Sequence, residues 1–193
     1  MHTANYPRAL EVLVHVQKDD NYETLPPAIK EIWKIFEAYL NYLILIGILD
    51  ATDTEAQKKE FRINRFLNEV EVFAKDKRGM NISVLILQFL YALAQGNYEL
   101  CETRTDALSK YRIRYLKGKA TLRSNHFIAL LLKIPACNFD LELVKAKTLK
   151  AKQWLTEHPW EEVNQSREVE VIPYEHLWEM ALKSLSTPSN TPP

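Results

Sequence analysis

The sequence predicts an all-α fold built from antiparallel helical hairpins, and three features lead there. Apolar residues recur at intervals of three and four along most of the 193 positions, the period of a helix rather than of a strand. Only four glycines are present, Gly47, Gly79, Gly96 and Gly118, too few for the tight turns of a many-stranded β fold. The polar connections are short, which places consecutive helices side by side.

About eight helices follow from that period. Pro7 suits a first helical turn, and Leu10, Leu13, Val14 and Gln17 continue at helical spacing until Asp19, Asp20 and Asn21 stop the run. A second, longer helix begins near Pro27. Its expected inward face is Ile29, Ile32, Trp33, Phe36, Leu40, Leu43 and Ile44, and it is apolar all round beyond Tyr39. Gly47 suits a loosened last turn, and Asp50 to Lys59 is a polar connection. Phe61 to Phe73 reads as a helix with Phe66, Leu67, Val70 and Phe73 inward, followed by a charged break through Gly79.

Ile82 to Gln95 is apolar on nearly every side, the signature of a central buried helix. Gly96-Asn97 makes a tight turn into Tyr98 to Leu116, where Tyr98, Cys101, Leu108, Tyr111 and Tyr115 are the expected contacts. Thr121 opens the next helix, which Pro135 closes or kinks. Asp140 to Leu155 follows with Leu143, Ala146, Leu149 and Trp154 as its expected inward face. Val169 to Ile172 is a β-branched run of extended character. Pro173 opens a last helix carrying Leu177, Trp178, Met180 and Ala181. Residues 1–183 are read as one domain, and 184–193 as a disordered Ser/Thr/Pro-rich tail.

The balance of 47% hydrophobic and 26% charged residues is that of a globular chain, and the formal net charge is zero. No global field therefore favours nucleic acid or a membrane. The start lacks the apolar run of a signal peptide, and the apolar stretches Leu43 to Leu49, Val84 to Leu87 and Phe89 to Leu93 fall short of the ~20 residues that span a bilayer. Cys101 and Cys137 read as free buried thiols of a reducing cytoplasm.

The stretch from Ile82 to Tyr111 resembles a tetratricopeptide repeat, a pair of antiparallel helices joined by a short turn. Gly96, Asn97 and Tyr98 look like the turn of that repeat, Cys101 stands where it has a small alanine, and Ala107 and Leu108 lie near its second small position. Gln88, Phe89 and Ile113 depart from it, standing where the repeat carries leucine, glycine and proline. The segments Phe66-Leu67-Asn68-Glu69-Val70, Asp76-Lys77-Arg78-Gly79-Met80-Asn81 and Ile172-Pro173-Tyr174-Glu175-His176-Leu177-Trp178-Glu179 are also similar to an uncharacterised bacterial family of helical-repeat proteins. The resemblance implies a tetratricopeptide-like array, with the chain as the C-terminal part of a longer one, and lends no activity.

The strongest local charge signal is basic. From Lys110 to Lys152 there are eleven Lys and Arg against two acids, a net +9, with Tyr111 and Tyr115 interleaved. Such a stretch can bind a phosphate backbone and stack bases. Residues 153–193 carry seven glutamates against Arg167 and Lys183, a net −5, so packing of the two stretches would pair these charges internally. The candidate binding surface is Lys110, Arg114, Lys117, Lys119 and Arg123, with Trp160, after Pro159, as an exposed aromatic. Trp33, Trp154 and Trp178 are expected in the core.

The histidines His2, His15, His126, His158 and His176 share no metal-ligand spacing, and each reads as structural. No nucleophile, base or carboxylate pair stands in a catalytic pattern. No catalysis, cofactor or metal is expected. The functional expectation is a scaffold for an unknown protein or peptide. Binding of nucleic acid or another polyanion through the basic helices at 110–152 is the alternative, and no membrane partner is expected.

Overall fold

The computed structural model describes residues 1–50, 80–159 and 170–186. The predicted helix Phe61 to Phe73, the connections on either side of it, Val169 and the tail from 187 onward lie outside the described residues. The chain divides into two compact units, Met1–Asp76 and Lys77–Pro193. The seven α-helices among the described residues are α1 (Tyr6–Lys18), α2 (Pro27–Leu45), α3 (Met80–Ala94), α4 (Tyr98–Tyr115), α5 (Leu122–Ala136), α6 (Leu141–Glu157) and α7 (Tyr174–Ser186). The fold is all-α.

In the first unit, α1 packs on α2. The Asn5 side chain caps α1 by accepting from the Arg8 N–H, and Leu10 and Leu13 are buried. Lys30 Nζ donates to the Glu23 carbonyl (2.6 Å) and carboxylate (2.8 Å), fastening the turn before α2 to its first turns. The inward face of α2 is Ile35, Ala38, Tyr39, Leu40, Tyr42 and Leu43. Ile29, Ile32, Trp33, Phe36 and Ile44 are only half-buried, a correction to the expected stripe. More than half the circumference of α2 is apolar, so periodicity alone does not choose between neighbouring stripes. Gly47 does more than loosen the end. With φ +65° it takes the left-handed position that lets Gly47 N–H reach the Ile44 carbonyl and Ile48 N–H reach Leu43, so the last carbonyls are satisfied.

The second unit repeats that termination twice. Gly96 (φ +67°) ends α3, with Gly96 N–H on the Leu93 carbonyl and Asn97 N–H on Ala92. Asn97 then caps α4 through its side-chain oxygen, which accepts from Leu100 N–H at 3.0 Å. One residue thus closes one helix and opens the next, which makes α3 and α4 a tight hairpin. Asn138 (φ 52°) ends α5 in the same manner, with Asn138 N–H on Pro135 and Phe139 N–H on Ile134, and Asp140 caps α6. Pro135 sits inside the last turn of α5, which closes one residue later, at Ala136. The Tyr98 and Phe139 rings, one from each turn, stack at 4.1 Å. Both hairpin turns therefore lie at the same end of the unit.

The five helices form an inner and an outer layer. Every residue of α3 from Asn81 to Leu93 is buried. Helix α5 buries Arg123, Ser124, Phe127, Ile128, Leu130, Leu131 and Ile134, and α7 buries Tyr174, Leu177, Trp178, Met180, Ala181 and Leu182. Helix α7 packs on α3, α5 and α6. The outer helices bury far less: α4 only Cys101 and Leu108, and α6 only Val144, Thr148 and Leu155. The expected inward face of α6 is thus overturned, since Leu143, Ala146 and Leu149 are exposed and Trp154 is half-buried. Helix α6 carries two apolar stripes, and packing against α5 and α7 selects the one containing Val144 and Leu155. No described helix is long and apolar enough to cross a membrane.

Candidate basic surface

The basic residues from Lys110 to Arg123 divide into three settings. Lys110 and Arg114, four residues apart on α4, share one exposed face. Ile113 lies between them at 67% exposure. Because α4 ends at Tyr115, Lys117 and Lys119 are not on that helix. They follow in the exposed connection and the short 3₁₀ turn before α5. No ion pair holds Lys110, Arg114, Lys117 or Lys119 among the described residues. The acids of α4, Glu99, Glu102 and Asp106, sit in its first half with Arg104 among them, and Lys110, Arg112 and Arg114 sit in its second half, the two arginines in the last turn, as the helix dipole favours. Tyr115 is exposed and its ring lies 4.9 Å from that of Tyr111.

Arg112 belongs to the second setting, between helices. Its Nε donates to Asn125 Oδ1 (3.1 Å), and Asn125 Nδ2 donates to the Leu116 carbonyl (2.7 Å), which ties the end of α4 to α5. Beside it, His126 stacks on Trp154 at 3.8 Å, and His158 stacks on the same indole at 4.3 Å. At those separations two imidazoles cannot lie side by side on one face, so Trp154 is held between them. His158 Nδ1 also lies 2.9 Å from the Trp154 carbonyl. Burial first, then the charge of Arg112 and the proximity of His158, lower the His126 pKa below the ordinary imidazole value.

Arg123 is the third setting and corrects the sequence reading. It is fully buried and belongs to no surface. All five guanidinium N–H groups are engaged. Nε donates to Glu170 Oε2 (3.1 Å), and Nη2 donates to Glu170 Oε1 (2.7 Å) and to Glu175 Oε2 (2.6 Å). Nη1 donates to the Leu155 carbonyl (2.9 Å) and to the His158 carbonyl. Burial alone would push its pKa down, but the hydrogen bonds and charges of Glu170 and Glu175 outweigh this and leave it raised. Glu170 Oε1 in turn accepts from the Tyr174 N–H, so the same carboxylate satisfies the first turn of α7. Tyr174 stacks on Phe127 at 4.4 Å and its hydroxyl meets Ser124 at 2.7 Å. Arg123 therefore clamps the C-terminal end of α6 to the N-terminal end of α7. A further pair, Lys152 with Glu179, joins the same two helices at the surface.

Trp160 lies outside the described residues. Trp178 is fully buried, as expected, whereas Trp33 is half-buried. Burial, and secondarily Glu102, push the Cys101 thiol up to about 12, so it is neither a nucleophile nor a ready metal ligand at neutral pH. Among the described residues no three His, Cys, Asp or Glu side chains gather as a metal site. The residue the sequence reading passed over is Ile113, noted only as a departure from a repeat. Its position three after Lys110 and one before Arg114 already places an aliphatic side chain at the edge of a cationic face. Compared with known proteins, the chain matches no family model, no curated protein and no solved structure.

Proposed function

We propose that this protein is a non-catalytic helical scaffold that binds an acidic segment of a partner protein at the C-terminal end of α4. The observation that carries this reading is Ile113, two-thirds exposed between Lys110 and Arg114, with Lys117 and Lys119 just beyond. An isolated exposed aliphatic residue is ordinary. One beside cations that no ion pair holds among the described residues suits a ligand with both carboxylates and an apolar side chain, and an acidic amphipathic helix has both. A phosphate backbone would use the cations and gain nothing from Ile113.

The reading extends to a tetratricopeptide-like helical repeat. It is supported by the Gly96-Asn97-Tyr98 turn, by its counterpart at Asn138, and by Cys101, whose small side chain fits against the Phe89 carbonyl. A cytoplasmic location belongs to the same proposal, on the support of two buried free thiols.

Titration of the full chain with a Glu- and Leu-rich amphipathic peptide, and separately with mixed-sequence single-stranded RNA, tests the proposal. The peptide is expected to bind and to lose about tenfold in affinity with Ile113→Ala. Binding of RNA alone, steeply weakened by salt and indifferent to Ile113→Ala, would establish the polyanion alternative instead. Binding of neither ligand overturns both.

A further inference from the structure

The exposed side of α6 has a pattern that matches itself. Leu143 (42% exposed), Ala146 and Leu149 (65% exposed) lie on the side of the helix away from Val144, Thr148 and Leu155, together with Glu142, Lys150 and Gln153. All six fall within about a third of the helix circumference, at 100° per residue. Among the described residues the Glu142 carboxylate is held only by Lys145, one turn along on the same helix (2.8 Å), and no ion pair holds Lys150.

We infer that α6 is a homodimerisation surface, pairing antiparallel with α6 of a second copy about a two-fold axis through Ala146. An antiparallel pair with that axis sets each residue against the one equally distant on the other side of Ala146. Leu143 then faces Leu149 of the second copy, and Leu149 faces its Leu143. Glu142 faces Lys150, and Lys150 faces Glu142. Ala146 meets itself on the axis, where a small side chain lets the two helices approach closely. Within this third of the helix apolar residues meet apolar ones and opposite charges meet, twice over, as an isologous contact requires, while the exposed Lys145 and Lys147, about 100° to either side of Ala146, stay at its flanks. Shifting the axis one turn toward the C-terminus, to Lys150, would set Lys150 against its own copy, so the charges select the register. One helix pair is a small interface by the standard of stable complexes, so the dimer is concentration-dependent. This surface is separate from the α4 face, and the inference stands without it.

Sedimentation velocity of the full chain over a range of micromolar concentrations is expected to show a monomer–dimer equilibrium. Ala146→Glu is expected to abolish the dimer, and because the position is exposed, the circular dichroism spectrum stays unchanged. Glu142→Lys alone weakens the dimer about tenfold, and Glu142→Lys combined with Lys150→Glu restores it. Under mild oxidation Ala146→Cys forms a disulfide-linked dimer, whereas Lys110→Cys does not. Cys101 and Cys137 are buried and do not compete. A chain that stays monomeric throughout, a dimer unaffected by Ala146→Glu, or a double reversal no better than the single one would each overturn the inference.

Discussion

Arg114 and Arg123 belong to one run of basic residues, nine positions apart, and do opposite things. Arg114 is exposed on α4 with no ion pair among the described residues. Arg123 is fully buried, with five donors on five acceptors contributed by α6, α7 and the segment leading into α7. The same charge on one stands exposed, and on the other holds two helices together. A local excess of positive charge therefore measures neither. What decides is whether acceptors distant in sequence fold back onto the side chain. Glu170 does so for Arg123, and no described acid does so for Arg114.

The contrast is sharpest in stability. Arg123→Met should destabilise the second unit by about 3–5 kcal/mol, because it leaves Glu170 buried without its cation and two carbonyls without donors. Chemical denaturation monitored by circular dichroism measures this. Arg123→Lys should recover little of the loss, since an ammonium offers three donors and cannot fork onto one carboxylate while reaching two carbonyls. A loss below 1 kcal/mol for Arg123→Met would mean that the clamp is not what joins α6 to α7.

The two stripes of α6 give the next effect. Val144→Ala should cost about 1–2 kcal/mol for the buried methyl groups removed, whereas Leu149→Ala should stay within about 0.5 kcal/mol. Equal costs, or the reverse order, would show α6 turned by the angle the sequence alone suggested.

His126 stands between the extremes, half-buried beside Arg112 and against Trp154. Its folded pKa lies below the unfolded value of 6.5, so the unfolded chain takes up its proton first as the pH falls. The stability contributed by neutral His126 is present above 6.5 and is lost as the pH falls from there through the lower folded value. Thermal melts between pH 7.5 and 5 should therefore show a falling midpoint, and His126→Gln should flatten part of that slope. A midpoint that rises on acidification would contradict the burial of this ring.

Smallest in stability is Arg114→Glu. Its effect on unfolding should be within about 0.5 kcal/mol, while the affinity for an acidic amphipathic peptide should drop severalfold and the drop should shrink as salt is raised. Loss of stability comparable to that of Arg123→Met would place Arg114 in a structural network and remove it from the proposed surface.

How far each part could be read in advance follows from the same contrast. The sequence by itself determined the elements. The run Ile82 to Leu93 is apolar on nearly every side, broken by Ser83 and Gln88, which is the mark of a buried helix. Gly47 and Gly96 supply left-handed residues at helix ends, and Asn97 and Asp140 supply caps, because these are interactions between residues a few positions apart. Asn138 plays the part of Gly96 in the second hairpin, and its side chain disguised the repeat of the turn. Only the tertiary structure decided which stripe of α6 faces inward, since both stripes satisfy the helical period and the choice rests on the surfaces that α5 and α7 present. It alone decided that Arg123 is interior and Arg114 is not, because the acceptor that compensates a buried guanidinium, Glu170, arrives from 47 positions along the chain. Local periodicity carries no term for a partner so distant, and burial of a charge is settled by that partner.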